Sequence, residues 1–160
     1  MKVLVFGEVL WDIIDGKEHL GGAPLNFAAH VKQCGHESTI ISAVGDDDRG
    51  KMALEQIEEV GVDVSMIQQS EIRTGFVPVT LVAGQPQYEI IKYVAYDYIK
   101  ADEISKKKIA QFDTFYFGSL AQRSPDSSEA LKKILTNHSF RQVFYDVNLR
   151  KYCYTKEILD

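Results

Sequence analysis

Two adjacent glycines lead the run Gly21-Gly22-Ala23-Pro24-Leu25-Asn26-Phe27-Ala28-Ala29-His30, and an aspartate stands upstream at Asp12. Residues without a β-carbon let a ligand come close to the backbone, and a helix start offers free N–H groups to that ligand's oxygens. A carboxylate accepts two hydroxyls, an asparagine amide both donates and accepts, and backbone amides supply further donors. Asp12, Gly21, Gly22 and Asn26 together therefore suit a small, oxygen-rich ligand. Taken alone, Asp12 reads as a turn former with Asp15 and Gly16; the other three residues turn the reading toward binding. A second polar cluster, Asp146-Val147-Asn148-Leu149-Arg150, follows an apolar run and falls at a strand's carboxyl end, where open α/β sheets bind ligands. The planar fork of Arg150 suits an anion, with a surface ion pair to Asp146 as the alternative.

The elements that must position these groups alternate between two periods. Val3 to Phe6 reads as a buried strand, Pro24 to Cys34 as a helix closed by Gly35, and Ser38 to Val44 as a second buried strand. A helix over Arg49 to Val60 ends at Gly61, and a short strand follows around Val64 to Ile67. The rhythm breaks where Phe76 to Val82 and Tyr88 to Tyr93 flank the turn Ala83-Gly84-Gln85-Pro86-Gln87, a hairpin pattern. Pro78 cannot donate to a ladder, which makes its strand an edge or an appended flap. Alternation resumes with a helix over Ala101 to Gln111, a strand Thr114 to Phe117, a helix Asp126 to Asn137 and a strand Gln142 to Val147. The expectation is one α/β body with a mostly parallel sheet flanked by helices, and a small β insert.

Composition narrows the chemistry. The 160 residues, 45% hydrophobic and 26% charged, fit one globular domain that buries roughly 70% of its unfolded surface. A net charge of −5 argues against a nucleic-acid surface, and Lys106-Lys107-Lys108 reads as a solvated helix face. Cys34 and Cys153 lack metal-site or redox spacing, and His19, His30, His36 and His138 form no metal-binding pattern. The apolar N-terminal run meets Glu8 too soon for a signal peptide, and no window approaches a membrane span, so a cytoplasmic setting without a membrane partner is expected. Asn137-His138-Ser139 reads as the polar end of a helix rather than a glycosylation site. Gly45-Asp46-Asp47-Asp48-Arg49-Gly50-Lys51 has P-loop spacing, but Met52 replaces the magnesium-binding hydroxyl and three acids would repel phosphate. Those acids read as helix caps. The dinucleotide fingerprint lacks its second glycine after Gly7, and no serine stands in a nucleophile elbow.

In Gly7-Glu8-Val9-Leu10-Trp11-Asp12, Gly21-Gly22-Ala23-Pro24-Leu25-Asn26, Val44-Gly45-Asp46-Asp47 with Gly50, Arg73-Thr74-Gly75 and Asp146-Val147-Asn148-Leu149-Arg150, the chain resembles the ribokinase and PfkB sugar kinases, most of all bacterial fructokinases. The Gly-Gly-x-x-x-Asn block is specific; Thr-Gly and Gly-Asp-Asp are weak singly. The resemblance implies a ribokinase-like fold with a β-sheet lid, formed by residues of about 12–22 and 74–94, and ATP- and Mg2+-dependent phosphoryl transfer to a sugar hydroxyl. By that resemblance Asp12, Gly21, Gly22 and Asn26 bind sugar, Tyr88 faces it from the lid, and Asn148 and Arg150 lie near the transferred phosphate, with Arg150 stabilising its charge. It also implies a homodimer through the lid. Fructose is the implied substrate, with 2-keto-3-deoxygluconate and ribose as alternatives and a non-catalytic sugar- or nucleoside-binding half-domain as a further one.

One family feature has no counterpart. The catalytic aspartate of these kinases sits in a Gly-Ala-Gly-Asp block, which nothing in this chain matches; the base, the adenine pocket and the acidic magnesium-associated motif are expected beyond Asp160. On that expectation, the uncovered sheet edge after Gln142 to Val147 predicts poor solubility or association of the 160 residues alone.

Overall fold

The computed structural model describes residues 1–82, 85–103 and 106–159. Its strands are β1 (Lys2–Phe6), β2 (Leu10–Ile14), β3 (Lys17–Gly21), β4 (Glu37–Gly45), β5 (Ile67–Ser70), β6 (Gly75–Val82), β7 (Gln85–Tyr88), β8 (Thr114–Gly118) and β9 (Gln142–Asp146). Its helices are α1 (Ala23–Gln33), α2 (Asp48–Glu59), the short α3 (Lys106–Ile109), α4 (Pro125–Asn137) and the short α5 (Lys156–Leu159). A five-stranded sheet runs in the order β5-β4-β1-β8-β9, and all its pairings are parallel. The second sheet, β3-β2-β6-β7, is mixed: β2 and β6 pair in parallel, the others antiparallel.

Side chains of a strand alternate between faces, so a strand covered on both sides reads as continuously apolar. In β1, Val3 and Val5 join the core with Leu25, Ala28 and Val31 of α1 and Ala53 and Ile57 of α2. Leu4 and Phe6 face the other way, toward Ala130, Leu131 and Ile134 of α4. A third cluster, Leu10, Val77, Val94, Tyr96, Leu120 and Cys153, packs the small sheet against the body. At the outer edge β9 leaves Val143 and Phe144 exposed, and Val147 and Leu149 beyond it are exposed as well.

The acids of Gly45 to Lys51 cap a helix, as expected. The carboxylate of Asp47 accepts the Gly50 N–H at 2.8 Å, the Thr74 N–H at 2.8 Å and the Thr74 hydroxyl at 2.6 Å. The Thr74 oxygen in turn accepts the Gly45 N–H at 2.9 Å. Two motifs that are weak in sequence, Gly45-Asp46-Asp47 and Arg73-Thr74-Gly75, thus form one buried joint between β4, α2 and β6. Burial alone would raise the Asp47 pKa, but these hydrogen bonds hold it below the usual carboxylate value.

Four local expectations change. The strand expected at Val64 to Ile67 starts later, as β5, because the Asp63 carboxylate accepts from the Ser65 N–H and hydroxyl and from Thr39, making a turn. The helix expected over Ala101 to Gln111 is a 3-10 turn at Ala101–Glu103 followed by α3, with 104–105 outside the described residues. In the hairpin, β7 ends at Tyr88, where the second strand was expected to begin; Tyr93 has φ of +58°, which a strand does not adopt. Ala83 and Gly84 of the expected turn lie outside the described residues. Of the two placements expected for the Pro78 strand, it is part of the small appended sheet and not an edge: β6 lies between β2 and β7, apart from the five-stranded sheet. The β6–β7 ladder runs from Val79 to Val82, so Pro78 falls just beyond it and its missing N–H interrupts nothing there.

Replacing Thr74 with Val keeps shape but leaves the Gly45 N–H without its acceptor and Asp47 short of a donor. We expect a loss of about 2–3 kcal/mol in urea unfolding, against less than about 0.5 kcal/mol for exposed Thr80→Val.

Candidate active site

The end of β1 and the start of α1 interlock at glycines. A Cβ on Gly22, where φ is +117°, would stand 2.4 Å from the carbonyl oxygen of Glu8. A Cβ on Gly7, where φ is +152°, would stand 2.4 Å from the Pro24 ring. Gly22 is the N-cap residue, its carbonyl accepting the Asn26 N–H at 2.9 Å. The glycine pair therefore has a packing role of its own, in addition to any exposure of backbone to a ligand. Gly21 sits on β3 opposite Leu10, and a Cβ there would meet the Asp12 carboxylate at 2.9 Å, so its bareness makes room for that side chain.

Above this junction lies a cavity of about 220 Å3, walled by Glu8, Leu10, Asp12, Gly22, Ala23, Asn26, Val77, Tyr88, Ile90, Leu120 and Arg150. Five of the seven residues singled out in the sequence meet here: Asp12 from β2, Gly22 and Asn26 from the start of α1, Tyr88 from the end of β7, and Arg150 from the segment after β9. Gly21 lies behind Asp12 instead of in the wall, and Asn148 offers its carbonyl to the Ser119 hydroxyl at 3.1 Å. Asp146 accepts from the Tyr116 hydroxyl at 2.6 Å; burial, and after it this bond, pushes the Tyr116 pKa up. Tyr116 stacks on Phe27 of α1 with ring centroids 3.9 Å apart.

The residue that sequence reading missed is Glu8. Its side chain is buried, and Oε2 has no hydrogen-bond partner. Burial raises its pKa to about 7, against the opposing pull of backbone amides at Glu8 and Ala23 and of the Arg150 and Arg123 charges. Asp12 is also raised by burial, opposed by Arg150 and His19. The available signal was an acid two residues past the apolar run Val3 to Phe6, at the end of a strand buried on both faces. Among the described residues no three His, Cys, Asp or Glu side chains converge as a metal site. No helix among them is long and apolar enough to cross a membrane.

Two carboxyls, a carboxamide, a phenol and a guanidinium line one small cavity, a set of donors and acceptors whose chemistry suits hydroxyls and an anion. The pfkB family of carbohydrate kinases matches residues 3–160. The chain belongs to the PfkB carbohydrate kinase family. It is 31% identical over 157 residues to a protein named as a sugar kinase, PH1459 of Pyrococcus horikoshii, covering 90% of this chain and 51% of that one. Fructokinase-1 of Zea mays is 27% identical over 166 residues, covering 93% of this chain and 51% of the relative. The chain thus spans about half the length of these PfkB relatives. A crystal structure of PH1459 in complex with ATP superimposes with a TM-score of 0.85 at 29% identity, covering 94% of this chain and 54% of that one. The mostly parallel sheet with its small mixed companion is therefore a ribokinase-like PfkB fold.

Two outcomes test this geometry. Because the folded Glu8 carboxyl titrates near 7 and the unfolded one near 4.5, the folded state holds the extra proton between those values. Stability therefore falls as pH rises through that window, and Glu8→Gln should lack this loss of about 3 kcal/mol in urea titrations at pH 5 and pH 8. Gly22→Ala, strained in φ and against the Glu8 carbonyl, should cost about 2 kcal/mol or more in the same measurement.

Proposed function

We propose that this chain carries the sugar-binding side of an ATP-dependent carbohydrate kinase of the fructokinase type. The observation that supports the reading most is the convergence of Asp12, Asn26 and Arg150 on one cavity between the small sheet and the start of α1. In this reading Asp12 accepts sugar hydroxyls and Asn26 bridges them. The amides at the start of α1 face the ligand past Gly22, with Gly21 leaving room for Asp12. The small sheet, about residues 12–22 and 74–94, acts as a lid, bringing Tyr88 over the sugar and excluding water. Asn148 and Arg150 lie toward the transferred phosphate, where Arg150 supplies positive charge; such transfers depend chiefly on positioning and charge stabilisation.

ATP enters as phosphoryl donor and Mg2+ as its counterion; among the described residues no three His, Cys, Asp or Glu side chains converge to hold the metal. Fructose is the proposed acceptor, ahead of ribose and 2-keto-3-deoxygluconate. The catalytic base is proposed to lie outside these 160 residues, on the missing Gly-Ala-Gly-Asp match. A cytoplasmic setting suits the two free cysteines, and a homodimer through the lid suits the exposed Ile14 and Tyr88 of the small sheet. A sugar- or nucleoside-binding half-domain without catalysis is the second reading, favoured by that same lack of a base motif.

A coupled phosphorylation assay across fructose, ribose, 2-keto-3-deoxygluconate and adenosine separates these readings, run on this chain and on any longer product of the same reading frame. Turnover of fructose by the longer product and none by the 160 residues is the expected result; turnover by the 160 residues alone would refute the absent base. Asp12→Ala should weaken fructose binding by roughly tenfold or more in calorimetry. An unchanged dissociation constant would sink the Asp12 assignment.

A further inference from the structure

Among the described residues two buried side-chain polar atoms lack a hydrogen-bond partner, Glu8 Oε2 and Ser42 Oγ. They differ in placement. Ser42 lies within β4, whereas Glu8 forms part of the cavity wall with Asp12, Asn26 and Arg150. A buried carboxyl oxygen without a partner is costly, and such cost persists in a fold where a ligand or a function uses the group. Its backbone is fixed as well: the Gly22 interlock holds the Glu8 carbonyl against α1, so the side chain is presented from a rigid position.

We propose that Glu8 is a sugar-binding residue whose free Oε2 hydrogen-bonds a ligand hydroxyl at the base of the cavity, so that sugar binding is linked to proton uptake. The inference rests on the sugar-kinase reading above and adds a residue and a pH dependence to it. The neutral carboxyl both donates to and accepts from a hydroxyl, so a sugar oxygen that accepts the carboxyl proton favours the protonated form of Glu8. The charged and titratable groups around it are Arg150 from the segment after β9, Arg123 from the turn after β8, and Asp12 from β2. Tyr96 and Tyr116 also sense its charge, and both phenols stay neutral because burial pushes their pKa values up. His19, paired with Asp12 across β2–β3, serves as the control.

The test is calorimetric titration of the full chain with D-fructose, and in a second arm D-ribose, near pH 7.5 in buffers of different ionisation enthalpy. Wild type should take up a fraction of a proton per sugar, and its affinity should fall roughly tenfold from pH 6 to pH 8. Glu8→Gln should lose both signatures, with less than about a twofold change over the same range, while His19→Gln should keep them. Heats independent of buffer in wild type, uptake that survives in Glu8→Gln, or uptake lost in His19→Gln would each overturn the proposal. If Glu8→Gln does not fold, the infrared carbonyl band of a protonated carboxyl in wild type decides: a shift on adding fructose supports the inference, and an unshifted band overturns it. Wild type that binds neither sugar overturns the sugar-kinase reading itself, a result distinct from sugar binding without proton uptake.

Discussion

The close contact between the end of β1 and the start of α1 is the constraint on which the rest of the site depends. Gly7 accommodates the Pro24 ring and Gly22 accommodates the Glu8 carbonyl, each at a separation that a Cβ could not occupy. That reciprocal fit fixes how α1 leaves the small sheet and holds Glu8 in the cavity wall beside Gly22 and Ala23. Pro24, lacking an N–H, suits the first helical turn, where no intrahelical acceptor exists. The same four residues serve packing and site geometry at once.

Two buried polar joints then fasten the small sheet to the body. In one, Asp47 and Thr74 tie the end of β4 to the start of β6, while Trp11 of β2 donates to the Arg49 carbonyl of α2 at 3.1 Å. In the other, Arg123 is paired with Asp97 at 2.8 Å, with both side chains almost fully buried. Arg123 also donates to the Ile91 carbonyl and the Tyr96 hydroxyl, which anchors the chain where it returns from β7. A buried pair of this kind adds little net stability over an apolar substitute, but losing one partner costs several kcal/mol, about 3–5 in measured cases. It specifies how the return segment sits. The side of the small sheet that carries Leu10 and Val77 is thereby held over the cavity.

Much of the body was legible because its signals are local. The continuous burial of β1 and the period-3.6 burial of α1, α2 and α4 appear directly in the apolar spacing, and Gly35 and Gly61 mark helix ends where φ is +80°. The PfkB resemblance rested on short strings that the fold brings into use. Legibility failed where a side chain competed with the backbone or where pairing was nonlocal. Asp63 captured its own neighbours and delayed β5. Pro78 left edge and appended flap open, and only the nonlocal pairing decided: β6 is an inner strand of the small sheet, where β7 is too short to need its N–H. The pairing of β2 with β6, across more than sixty residues of chain, has no local signature at all.

The amino-acid sequence by itself determined the alternating α/β order, the family and the polar residues Asp12, Asn26 and Arg150, because residue type and spacing along one segment carry that information. Only the tertiary structure decided what surrounds them. It placed Arg150, from the far end of the chain, on the same cavity as Asp12, and gave Asp146 to Tyr116 rather than to Arg150. It also showed that the glycine pair answers first to the Glu8 carbonyl and the Asp12 carboxylate. Glu8 itself changed from an acid with no assigned role into a buried one in the cavity wall, since desolvation depends on every element packed around a group and no single segment encodes it.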